Sequence, residues 1–144
     1  MLKQIFIFIT ALAMFIITVS MFEFLVPFIL GIDGASAEVM QDPVALKSFM
    51  ERQPAASYIG IMVAHAVGAL IGGAVLGFGG LPKWSAYLLA GICMAGGIGN
   101  VLLLPGHPAW FWVFDLVVYI PSVLLGHEWV SQARKFAAEK AAEQ

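Results

Sequence analysis

Charge is scarce in this chain. Asp, Glu, Lys and Arg make up 11% of its 144 residues, against roughly 25% in an ordinary soluble domain. Cysteine is almost missing. With Cys93 alone, an internal disulfide, a CxxC redox pair and an all-cysteine metal site are excluded within one chain. No basic patch exists and the pI is about 5.8, so no nucleic-acid partner is expected. Histidine is also sparse. His107 falls in a loop and His127 near the far edge of the last apolar run, so neither can join His65 as a bis-His haem pair. No cofactor is expected. No Ser–His pair sits at an obvious shared depth, so an enzyme is not the favoured reading. Low-complexity segments and convincing internal repeats are absent from the sequence.

What remains is apolar: 61% of residues are hydrophobic and the mean hydropathy is +0.93. These residues fall in long runs, and about 20 suffice for a helix to cross the hydrocarbon core. Four spans are expected, at about 5–30, 58–80, 84–104 and 109–130. The first run is too long for a signal-peptide core of roughly 7–15 residues, despite the "ASA" at 35–37. It is expected to be a retained span. The links "GGLPK" and "PGHP" are very short, which favours antiparallel neighbours and an up-down bundle. The expected fold is thus an all-α membrane protein, 1–144 forming a single membrane domain.

Basic residues set the orientation. Lys3, Lys83, Arg134, Lys135 and Lys140 fall on one side; Lys47 and Arg52 fall on the other among four acidic residues. The positive-inside rule then puts both termini in the cytoplasm. Tyr58, Trp110 and Trp112 mark the outer interface, Trp84 and Trp129 the inner one. In the outer loop 31–57, "DPVALKSFMERQP" has Asp42 as N-cap and Pro43 at the first helical position. A short interfacial helix over 43–53 follows, with Leu46, Phe49 and Met50 on one face. A connector packed on the bundle rim is the preferred reading of it; a lid is the alternative. The tail 131–144 reads as a solvated helical continuation.

Inside the spans, strongly polar residues are few: Glu23, His65, Asn100 and Asp115, one per helix. At about 1.5 Å rise per residue, Glu23 and His65 lie roughly 10 Å below the outer edge, Asp115 roughly 9 Å and Asn100 roughly 6 Å. Four spans therefore bring one polar residue each to a common layer. A charge facing lipid costs a few kcal/mol, so such residues turn inward and pair. An outward-facing polar pocket is expected from His65, Asp115, Asn100, Tyr119 and Glu23. Small residues in the second and third spans, notably Gly68, Gly72 and Gly96, are expected to let backbones pack closely.

Three readings of the layer stand side by side. Two carboxylates and an imidazole can relay a proton or hold a polar solute. The same groups can serve only as interhelical glue. Glu23, His65 and Asp115 could ligate a divalent metal, although no two ligands recur three or four apart on one helix.

The segments "AHAVGALIGG", "GGIGN", "PGHPAWF" and "FDLVVYIP" resemble a family of small bacterial four-span membrane proteins, hypothetical proteins without an assigned activity. The likeness covers nearly the whole of 42–126, and the tail from about 128 departs from it. It implies a bacterial inner-membrane location and singles out His65, Asn100, Trp110, Phe111, Asp115, Tyr119 and Pro121; Glu23 lies outside its motifs. It implies no reaction. The leading expectation is a proton-linked or small-molecule transport or permeation subunit, working as a homo-oligomer in the bilayer. The alternative is a structural or assembly subunit that docks a membrane partner protein.

Overall fold

The structure is a computed structural model, and it describes residues 1–143. It is all-helical, with no strand among the described residues. Helices α1 (Leu2–Leu30), α4 (Ala55–Gly79), α5 (Lys83–Leu103) and α6 (Ala109–Ala142) are each long and apolar enough to cross a membrane. Two short helices, α2 (Ala37–Gln41) and α3 (Pro43–Glu51), lie in the first loop. The chain is a multi-pass helical membrane protein with its long helices in an antiparallel bundle.

Local chemistry sets the helix ends. Asp42 caps α3 by accepting from Val44 N–H at 2.8 Å and Ala45 N–H at 3.3 Å, and Pro43 opens the helix. That start is as expected; the helix stops at Glu51 rather than 53. The sequence reading did not find α2, whose start is capped by Ser36 accepting from Val39 N–H at 3.3 Å. Gly31 and Gly80 end α1 and α4 in left-handed geometry, at φ of 63° and 71°, which glycine adopts without steric cost.

Helix α4 is the centre of the bundle. It packs chiefly on α6 and α1, while α5 leans on α6 and only touches α4 and α1. The short α4–α5 link thus joins helices that share little contact. Two glycine faces on α4 explain its place. Gly60, Gly68 and Gly72 face α1: a Cβ on Gly68 would lie 2.9 Å from Val19 Cγ2, and one on Gly72 would lie 3.2 Å from the Ala11 carbonyl oxygen. Gly73 and Gly77 face α6, meeting the backbones of Val123 and His127, and Gly126 of α6 returns the contact against Leu70. In lipid, where the hydrophobic effect gives helices no reason to associate, such close approach supplies the packing.

On α5 the expected packing role shifts by one residue. Open space surrounds Gly96, and Gly91 and Gly99 are likewise uncontacted. Gly97 makes the close approach, since a Cβ there would lie 2.8 Å from Tyr119 Cε2. The half of the bundle nearer the termini is filled by Ala11, Ala69, Leu76, Ala86, Leu89 and Val123. Long aliphatic and aromatic side chains on the outside, such as Phe6, Phe24, Leu102 and Val117, are exposed, as lipid-facing residues must be.

The loop-end rim is fixed rather than loose. Tyr58 donates its hydroxyl to the Met50 carbonyl, tying α4 to α3. Its ring packs among His107, Trp110 and Phe111. Leu46 is buried. Gly106, at φ 100°, sits beneath α3 with room for no side chain: a Cβ would come 2.7 Å from the Lys47 carbonyl oxygen.

Candidate functional site

The two glycine faces of α4 bring two acidic helices to one histidine. His65 lies between them, and it is buried. Its Nδ1 is 2.6 Å from Asp115 Oδ1 on α6, a pair in which the imidazole N–H donates and the carboxylate accepts. Its Nε2 is 3.9 Å from Glu23 Oε1 on α1. That separation is too long for a direct hydrogen bond and within the reach of a bridging water. The second Asp115 oxygen accepts from the Tyr119 hydroxyl at 3.4 Å. Tyr119 and His65 rings lie 5.3 Å apart, and Phe15 meets Tyr119 edge-on.

Exposure is graded along this line. The Glu23 side chain is 44% exposed, His65 5% and Asp115 2%. Glu23 forms part of the wall of a crevice of about 220 Å³, together with Asp33, Ser57 and Tyr58. The Ser57 hydroxyl is buried without a hydrogen-bond partner. The crevice therefore runs from the loop end to the accessible carboxylate, and the line continues inward to the buried one. Beyond Tyr119 it stops, because Leu76, Leu89 and Val123 occupy the core.

Asn100 is apart from this group. It is half-buried, and its side chain makes no hydrogen bond among the described residues; only its backbone carbonyl is engaged, by Leu104 N–H at 2.9 Å. Phe111 is buried and stacks on His107, with ring centroids 5.1 Å apart. Phe15, Asp33 and Ser57 are further neighbours of the group that no pattern in the sequence singles out; the groove of Cys93, Gly96 and Gly97 is legible there, and of its glycines Gly97 is the one that meets Tyr119. Gly97 stood in the same glycine run as Gly96, and only the rotation of α5 distinguishes them.

The geometry disfavours one metal held by Glu23, His65 and Asp115. The two carboxylates address opposite nitrogens of one ring, and no ion can bind both nitrogens at once. No set of three clustered metal-ligating side chains occurs among the described residues.

Outside the spans, His107 donates Nδ1–H to the Leu104 carbonyl at 2.6 Å. Burial holds its imidazole below the usual pKa of 6.5, against the opposing pull of that carbonyl. At the end bearing the termini, His127 donates Nε2–H to the Leu81 carbonyl at 2.9 Å, and Arg134 donates to the Gly77 carbonyl at 3.1 Å. These bonds anchor α6 to the α4–α5 turn. Comparison with family models, with curated proteins and with solved structures finds no match to this chain.

Proposed function

We propose that this protein is a small membrane subunit whose Glu23–His65–Asp115 group exchanges a proton, or a small polar solute, with the side that carries the first loop. The supporting observation is the gradient of exposure across three titratable groups in contact. Glu23 meets the crevice, His65 links it to Asp115, and Asp115 is sealed in the bundle. A group serving only as glue has no need of a half-exposed carboxylate at the mouth. Lys3, Lys83, Arg134, Lys135 and Lys140 lie at the opposite end, so the positive-inside rule turns the crevice away from the cytoplasm.

Roles divide by position. Glu23 receives the proton or solute. His65, with a nitrogen toward each carboxylate, passes a proton by changing which nitrogen bears it. Asp115 holds it, steadied by Tyr119. The apolar core below Tyr119 means that passage across the membrane requires a rearrangement or a second copy of the chain.

Proton flux into liposomes carrying the purified protein, driven by an imposed membrane potential, tests this reading. Asp115→Asn preserves shape and removes the ionisable group, and it is expected to lower the flux at least tenfold. Flux equal to wild type would remove the proton role.

A second reading, the structural subunit, is favoured by one observation: Asp115 is satisfied by both His65 and Tyr119. In that case Asp115→Asn lowers stability and nothing else, and wild-type liposomes are no leakier than empty ones.

A further inference from the structure

The end bearing the termini carries two cavities that no step above uses. The first, about 590 Å³, lies where α6 crosses the α4–α5 turn; Lys83, Arg134, Lys135, His127 and Ser131 line it. Its cations outnumber its single carboxylate, Glu128, which Lys83 Nζ approaches at 3.6 Å and Gln132 Nε2 at 3.1 Å. Arg134 is only partly engaged, through one nitrogen on the Gly77 carbonyl. One buried polar atom in the wall has no partner: Nδ1 of His127, whose ring is otherwise held by the Leu81 carbonyl. With Nε2–H given to the Leu81 carbonyl, Nδ1 is an acceptor, so its missing partner is a donor, a hydroxyl or a water, rather than the phosphate itself.

The second cavity, about 340 Å³, is an apolar groove between α1 and α5, lined by Ile5, Phe8, Ile9, Trp84 and Leu88. It exists because these two helices barely touch. Leu81 and Pro82 line both cavities. Trp84 and Trp129 are exposed at this level, where indole rings mark the membrane–water interface. A cationic pocket at headgroup depth thus adjoins an apolar groove at acyl-chain depth.

We infer that these cavities form one binding site for an anionic phospholipid of the leaflet at this end. The phosphate sits among Lys83, Arg134 and Lys135, and an acyl chain passes over Pro82 into the α1–α5 groove. Basic pockets between spans recognise such headgroups by charge. The opposite end offers less positive charge: the Glu23–Asp33 crevice has no Lys or Arg in its wall, and in the cavity of about 500 Å³ beneath α3 the one lysine, Lys47, is paired with Glu51 at 3.8 Å. The site is separate from the Glu23–His65–Asp115 group, so failure of either reading leaves the other standing.

Native mass spectrometry of the detergent-extracted full chain tests the inference. The probes are phosphatidylglycerol, phosphatidylcholine and inorganic phosphate, each added alone, with inorganic phosphate also added in competition with bound phosphatidylglycerol. Wild type is expected to retain phosphatidylglycerol in clear preference to phosphatidylcholine. Each cation removed should weaken retention about fivefold, taking roughly one kcal/mol per basic residue near a headgroup. Lys83→Gln and Lys135→Gln alter exposed side chains and keep the fold, as circular dichroism would verify; Arg134→Gln extends the series. Ile9→Trp, which fills the groove without touching charge, should weaken retention of both lipids and leave inorganic phosphate unchanged. Equal retention of the two lipids, or retention indifferent to the lysine variants, would overturn the site. Inorganic phosphate displacing the lipid completely, with no effect of Ile9→Trp, would overturn the groove and leave a free-phosphate site.

Discussion

Asp115 shows what one residue is asked to do in this bundle. Its carboxylate is almost wholly buried and keeps two partners, His65 and Tyr119. Removing one partner of a buried charged pair strands the other, at a cost of about 3–5 kcal/mol. Asp115→Ala is therefore expected to destabilise the protein by that order. Asp115→Asn, which still offers an oxygen to His65, should cost markedly less; thermal unfolding in detergent separates the two. His107 gives the pH signature of the rim. Burial lowers its pKa below 6.5, so the folded state favours the neutral ring. The unfolded ring takes up a proton before the folded one does as pH falls. The rim's contribution is complete above about pH 6.5 and declines below it. Unfolding midpoints measured against pH should fall on the acid side in wild type and less steeply in His107→Gln. The depth of each polar residue was legible in the sequence because helical rise is fixed. Its rotation about the helix axis was not. Hence Asn100, at a matching depth, stands half-buried without joining the group, and Gly97 rather than Gly96 admits Tyr119.

Among the elements, α4 has the largest part. His65 is flanked by Gly68 and Gly72 on the face toward α1, and Gly73 and Gly77 turn toward α6. One helix thereby brings both carboxylates to one imidazole. The α4–α6 contact is the tightest, with Gly126 set against the Leu70 backbone. Gly126→Ala forces those backbones apart, and overpacking of this kind costs about 1–3 kcal/mol. Because the same contact sets the His65–Asp115 distance, flux should fall along with stability. Gly91→Ala, in open space on α5, serves as the control: it should not destabilise, and alanine's better helix propensity favours it by about 0.5–1 kcal/mol. The four long helices and the Asp42–Pro43 start of α3 could be read from composition and capping chemistry. Helix α2 could not. Five residues are too few to show a period, and Ser36 with Glu38 in the first turn is a weak signal of its start. The weak contact between α4 and α5 was hidden too, because a short link sets direction and not area of contact.

At the scale of the whole molecule, polarity is divided between the two ends. At the loop end, with its crevice, acidic side chains outnumber Lys47 and Arg52; at the other, Lys83, Arg134 and Lys135 outnumber Glu128 in the cavity wall, and an apolar core separates the two. On the proposed function, the Glu23–His65–Asp115 group communicates with one side of the membrane while remaining sealed from the other. Nitrogen NMR of the His65 imidazole, in protein reconstituted in bilayers, reads this directly. Spectra taken across about pH 5 to 9, where imidazoles ordinarily titrate, are expected to show His65 changing protonation, with a midpoint that moves in Glu23→Gln. A His65 signal that stays constant over this range, in wild type and Glu23→Gln alike, would contradict the claim and make the group interhelical glue.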